Sequence, residues 1–200
     1  MSDFAALITF LVGDSETQPG GEEGGWNQND PPTVPPGQNP TYRGISFDEW
    51  RAWRGDQTLT QAQFREMLTR SEIKGIVRAG YWEPSHAELL PFGSVLYADH
   101  VFNAGLGGWR TKSAAWCLQT ALEAVGVNCG GADGVLGPQT TGAMRVVGKV
   151  AKPGEFIDAL AAARVANYRT KREFSWAGTG WLRRVERCRV LNRRLAGVEE

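Results

Sequence analysis

The sequence predicts a mainly α protein. Apolar residues recur at steps of three and four through most of the chain, and Ser, Thr or Pro starts and Gly stops bracket those stretches. No stretch alternates apolar and polar residues long enough to read as a strand. The 200 residues fit one domain or two small subdomains, and the 42% apolar content excludes disorder of the whole chain.

Phe4, Leu7, Ile8 and Leu11 fall at helical spacing and predict a short buried opening helix. Residues 13–40 follow, with prolines at 19, 31, 32, 35, 36 and 40, and are expected to be one irregular loop. A loop of that length inside a compact domain is either disordered or functional. Ser46, with Glu49 three residues later, has the signature of a capping box opening the helix "FDEWRAWRG". Thr60 is the next N-cap, with Phe64, Met67 and Leu68 on the inner face.

A buried helix is predicted after Pro91, with Val95, Asp99 and Phe102 on one face and Gly105, Gly107 and Gly108 ending it. "TKSAAWCLQTALEAVG" is amphipathic through Ala115, Leu118, Leu122 and Val125, and Gly126 stops it. "GGADGVLG" reads as a turn leading into a helix with Pro138 at its first position. Pro153 opens another helix, with Ile157, Ala161, Val165 and Tyr168 inward. "GWLRRVERCRVLNRRLAG" closes the chain, with Leu182, Val185, Cys188, Leu191 and Leu195 inward.

The zero formal charge hides an asymmetry. Residues 1–60 carry a net −6 and residues 164–194 a net +8, which suggests an anionic partner for the basic end or attraction between the halves. Three cysteines cannot all pair within one chain and form no CxxC, so buried free thiols are expected. The apolar run "FAALITFLV" is too short to span a bilayer and lacks the flanks of a signal peptide. The two histidines, His86 and His100, have no further ligands at metal spacing, and "GADGVLG" lacks the acidic set of a calcium loop, so no metal or other cofactor is expected.

The chemistry-bearing stretch is "GGEEGGWNQNDPPTVPPGQNPTYRGIS", Gly20 to Ser46. Breaking a glycosidic bond requires a carboxylic acid to protonate the leaving oxygen, usually with a second carboxylate for water or charge. A Glu followed by two glycines allows a bulky polymer to approach closely. The same residues also read as a solvated acidic linker, and spacing alone leaves both readings open. Trp26 beside Glu23 is a candidate for sugar stacking, with Trp82 and Trp109 behind it, whereas Trp116 and Trp181 sit in helical patterns and are expected in the core.

Six motifs in order carry a resemblance over residues 4–190. They are "EGGW" (Glu23 to Trp26), "TYRGIS" (Thr41 to Ser46), Tyr81-Trp82 with Leu90-Pro91, Asp99-x-x-x-Asn103-x-Gly105, Leu118-Gln119 with "DGVLGPQT", and "REFSWAGTGWLRRV". The chain resembles the glycoside hydrolase family 108 muramidases, which include phage lysins and secretion-associated peptidoglycan hydrolases. The resemblance implies a lysozyme-like helical hydrolase over residues 1–108, and over 109–200 a helical peptidoglycan-binding-like part packed on it. It further implies that Glu23 is the catalytic acid of an enzyme cutting N-acetylmuramic acid–N-acetylglucosamine linkages.

The sequence departs from the family pattern twice. About ten residues, "GDSETQPGGE", are inserted before Glu23, and Pro35 stands where the family has an Asp. The second acid is therefore Asp30 in sequence or Asp99 in space, with Thr41 as another group that can steer water. Thr41, Tyr42, Tyr81, Trp82 and Asn103 are the remaining candidate substrate contacts, and Glu22 replaces Glu23 if the alignment slips by one.

Two other readings stay open: a lytic transglycosylase using one Glu for both proton transfers, and a non-catalytic wall-binding or assembly module. Expected partners are peptidoglycan glycan strands, an anionic wall polymer at the Arg-rich last helix, and a phage particle or secretion machinery. No nucleic-acid motif accompanies the arginines. The protein is expected to be made in the cytoplasm and to reach the wall by phage release or another export route.

Overall fold

The computed structural model describes residues 3–14, 21–28, 39–108 and 112–198. They form two units, Met1–Ala79 and Gly80–Glu200.

The first unit opens with α1 (Asp3–Val12), which buries Phe4, Ala6, Leu7, Ile8, Leu11 and Val12. Three two-residue strands follow: β1 (Trp26–Asn27), β2 (Thr41–Tyr42) and β3 (Ile45–Ser46). They pair antiparallel in the order β1-β2-β3, with Trp26 opposite Tyr42 and Tyr42 opposite Ile45. This sheet corrects the expectation of one irregular loop through residue 40, since β1 lies inside that stretch. Strands of two residues are too short to show alternation, so the periodicity rule could not find them. The β2–β3 turn did leave a trace in "YRGI". Arg43 (φ 52°) and Gly44 (φ 78°) both take the left-handed backbone that a two-residue hairpin turn needs.

Ser46 caps α2 (Phe47–Arg54) through the expected capping box with Glu49. Thr60 with Gln63 caps α3 (Gln61–Met67), and Thr69 with Glu72 caps a separate helix, α4 (Arg70–Val77). Phe64 is fully buried and centres an aromatic cluster, with ring centroids 5.1 Å from Trp50, 5.6 Å from Phe47, 6.0 Å from Trp26 and 6.2 Å from Tyr42. Burial of such rings stabilises by about 1.5–3 kcal/mol each and locks the hairpin onto α2 and α3. Met67, expected inward, is 37% exposed, because α3 ends there and only Phe64 of this helix is buried.

A π turn (Arg78–Trp82) leads into the second unit, which holds α5 (Glu83–Ser85), α6 (Ser94–Ala104), α7 (Ala114–Ala124), α8 (Pro138–Val150), α9 (Pro153–Arg169) and α10 (Phe174–Leu195). Helices α7, α9, α10 and α6 enclose its core, where Val95, Leu118, Leu122, Phe156, Ile157 and Cys188 are all buried. Helix α10 starts six residues before the predicted Gly180. Gly178, inside the added first turns, has a packing reason: it is buried under the Phe174 ring, where a Cβ would lie 2.8 Å from ring carbons. Leu195, expected inward, is 41% exposed at the last turn.

"DGVLGPQT" is a hydrogen-bonded clamp. The Gln119 amide donates to Asp133 Oδ1 (2.8 Å) and accepts from Gly134 N–H (2.8 Å), and Asp133 Oδ1 also accepts from Val135 N–H (2.8 Å). All three cysteines are free and buried. Among the described residues no helix is long and apolar enough to cross a membrane, and no group of three His, Cys, Asp or Glu is placed to hold a metal ion.

Candidate active site

Glu23 is positioned by backbone. A helix leaves its last four carbonyls without partners, and at the end of α1 the returning chain supplies donors. Glu22 N–H donates to Phe10 O (2.9 Å) and Glu23 N–H to Leu11 O (2.8 Å). Arg70, at the start of α4, donates through Nη2 to Gly13 O at 2.6 Å. Gly21 makes the approach possible, because with φ 149° a Cβ there would lie 2.5 Å from Leu11 O and 2.7 Å from Leu11 C. Beyond Glu23 the situation reverses. A Cβ at Gly24 or Gly25 would meet nothing within 4 Å, so the half-buried Glu23 is followed by open space.

Three residues on, Trp26 enters the sheet. Its pairing with Tyr42, and that of Asn27 with Thr41, brings three sequence candidates together, Trp26, Thr41 and Tyr42, with Glu23 three residues before Trp26 along the chain. Trp26, Thr41 and Tyr42 are all half-buried. The Trp26 ring leans on Phe64 and Tyr42 (6.4 Å) and carries the Arg65 guanidinium at 5.9 Å, while Arg43 lies 5.4 Å from the Tyr42 ring. Such a surface suits sugars, since ring faces stack on C–H groups and guanidinium groups donate to oxygen.

The remaining candidates belong to the second unit. Asp99 is fully buried in α6, with Oδ2 2.7 Å from Arg164 Nη1 and Oδ1 2.6 Å from Arg184 Nη2. Burial pushes its carboxyl upward, but the charges of Arg184 and Arg164 outweigh that, and it titrates below the ordinary carboxylate range. Asn103 shares the face, as its spacing predicts, and donates through Nδ2 to Asp99 O (2.7 Å) and Oδ1 (3.3 Å). Tyr81 is half-buried and meets Phe102 edge-on at 4.9 Å, and Trp82 is buried at 6% exposure. Trp181, half-buried, packs on Tyr168 at 5.0 Å, and Trp116 is half-buried under Lys112.

The family model described as glycosyl hydrolase 108 matches residues 19–105, a stretch that contains Glu23, all three strands and α6. Residues 19–105 belong to the glycosyl hydrolase 108 family. The chain is also similar to the solved structure of Brucella abortus SagA, with 27% identity, a TM-score of 0.68 and coverage of 98% of this chain and 96% of that one. No curated protein matches it. A family 108 domain makes the chain a glycoside hydrolase, and its substrate class is peptidoglycan.

Asp30 lies outside the described residues, as does Trp109. Gly21, Arg70 and Phe64 position the candidate site and were absent from the sequence candidates. The Gly20-Gly21 pair was visible, but nothing in the sequence tells which glycine must pass a helix end.

Proposed function

We propose that the chain is an N-acetylmuramidase that cleaves the N-acetylmuramic acid–N-acetylglucosamine bond of peptidoglycan, with Glu23 as general acid. The observation that carries this reading is the fixing of Glu23 on both sides. Its N–H is held by the C-terminal end of α1, and three residues later its strand pairs with Tyr42, leaving Gly24 and Gly25 open to a polymer. Glu23 would protonate the leaving glycosidic oxygen as the anomeric carbon takes on positive charge. Trp26 would stack on a sugar ring, with Thr41 and Tyr42 hydrogen-bonding its substituents or the attacking water. In this reading residues 1–108 carry catalysis and 109–200 hold the wall.

Asp99 serves here as the counterion of Arg164 and Arg184, and Asn103 as its lid. Asp30 is then the remaining acid for activating water. Replacing Glu23 by Gln while retaining Glu22, and the converse, separates the two glutamates. Release of reducing ends from purified peptidoglycan should fall by roughly 10²–10⁴-fold in Glu23→Gln alone. Undiminished turnover in that variant sinks the assignment.

The double ion pairing of Asp99 favours a second reading, a lytic transglycosylase in which Glu23 makes both proton transfers and the muramic 6-hydroxyl replaces water. Anhydro-muramic ends in the product mass spectrum would identify it, whereas hydrated reducing ends identify the muramidase. A lysin of phage type would in addition clear permeabilised cells when added from outside.

A further inference from the structure

Arginines stand over several aromatic rings of the first unit, and they are not equivalent. Arg54 lies 4.7 Å from the Trp50 ring centre, but its Nε donates to Glu72 Oε1 at 2.7 Å. Arg65, on α3, lies 5.9 Å from the Trp26 ring centre and is exposed. Among the described residues it makes no ion pair and no side-chain hydrogen bond. The residues three and four positions away, Gln61, Ala62, Leu68 and Thr69, hold no carboxylate, and the adjacent Glu66 is turned about 100° round the helix. A cation–π contact reaches to about 6 Å, so Trp26 holds this guanidinium at the limit of its range and leaves its N–H donors to another acceptor.

The surroundings point to the acceptor. Trp26 is half-buried, supported by Phe64 at 6.0 Å and Tyr42 at 6.4 Å, and follows Glu23 by three residues. A sugar stacked on Trp26 brings its substituents to Arg65. In a neutral amino-sugar polymer those substituents are hydroxyl and acetamido groups. In peptidoglycan, alternate sugars add a 3-O-lactyl arm that ends in a carboxylate or in a peptide stem carrying carboxylates. Carboxylate is a group that a planar guanidinium binds through two parallel N–H bonds.

We propose that Arg65 is a specificity-determining residue of this site. It pairs with a carboxylate on the lactyl arm of the muramic residue stacked on Trp26, either the arm's own or the first of its stem. The pairing selects muramyl glycan over neutral amino-sugar polymers. It rests on the reading of Trp26 as the sugar platform and is independent of the role of Glu23.

The test is calorimetric binding of soluble muramyl tetrasaccharides to the full chain carrying Glu23→Gln, with and without Arg65→Gln. One pair of ligands is the peptide-free tetrasaccharide and its lactyl methyl ester. The second pair is the stem-bearing tetrasaccharide and the same molecule with its stem carboxylates amidated. The charged member of at least one pair should bind about fivefold more tightly, the size of one exposed ion pair, and the advantage should shrink as salt rises. Preference in the first pair identifies the lactyl carboxylate, and preference in the second identifies that of the stem. Arg65→Gln should bind both members alike at the affinity of the neutral one, which also shows that it folds, and Arg65→Lys should restore part of the preference. No preference in either pair, a preference that survives Arg65→Gln, or an equal loss of the neutral ligands in that variant overturns the proposal. Undiminished binding of the neutral ligands by Trp26→Ala overturns the platform and the proposal with it. The catalytic reading fails separately, as new reducing ends released by Glu23→Gln while the carboxylate preference persists.

Discussion

Leu11 carbonyl oxygen accepts the N–H of Glu23 at 2.8 Å, so the candidate acid hangs from the end of the first helix. The backbone bond makes the placement of the Glu23 side chain depend on how closely residues 21–23 approach α1.

Gly21→Ala tests that dependence. Its Cβ would collide with Leu11 O and C, and its φ of 149° is a conformation that L side chains rarely adopt. The expected result is a stability loss of about 1–3 kcal/mol and a fall in peptidoglycan turnover larger than that of Gly24→Ala. Gly24 faces open space, so equal effects at both positions would show that Gly21 does not set the position of Glu23.

Asp99→Ala should be one of the most destabilising single changes in the second unit. It leaves Arg164 and Arg184 with no carboxylate, and Arg164 is only 1% exposed at its side chain. Removing one partner of a buried ion pair costs about 3–5 kcal/mol, read as a shift of the urea midpoint. A variant that unfolds at the wild-type midpoint but loses turnover would return Asp99 to the catalytic candidates.

His100 gives the second unit an acid sensitivity. It is fully buried, packs edge-on against Tyr168 at 5.4 Å, and neither ring nitrogen has a hydrogen-bond partner among the described residues. Burial, helped by Arg164 and opposed by Asp99, holds its pKa well below the ordinary 6.5. The unfolded chain takes up a proton near pH 6.5 and the folded chain does not, so stability is full above pH 6.5 and falls as the pH drops below it. The slope is up to about 1.4 kcal/mol per pH unit. In His100→Leu the fall in melting temperature between pH 6.5 and 5 should flatten, and an unchanged slope would assign the sensitivity to other groups.

The thiols should be inert in the folded protein. Burial pushes Cys117 up to about 12, and burial together with the neighbouring Glu123 carboxylate pushes Cys129 up to about 12. Iodoacetamide at pH 7.5 should label neither in the native state and both in urea. Rapid native labelling of either would contradict the packing around α7.

Much of the fold was legible in the sequence because helices are local. Ser46 with Glu49 and Thr60 announced their caps, Pro138 and Pro153 their starts, and the spacing of Leu118 and Leu122 the buried face of α7. These signals arise from hydrogen bonds and side-chain rows within a few residues, so sequence distance and spatial distance agree. The order of motifs from Glu23 to Arg184 also pointed to the glycoside hydrolase family. What only the tertiary structure decided are the relations between distant residues. It paired strands too short to have a period, brought Arg70 to Gly13 and Glu23 to Leu11, and closed Arg164 and Arg184, 65 and 85 positions along the chain, onto Asp99. A carboxylate on an apolar helix reads the same in sequence whether it faces a cleft or two guanidinium groups. The difference is the identity of its neighbours in space, which packing alone selects.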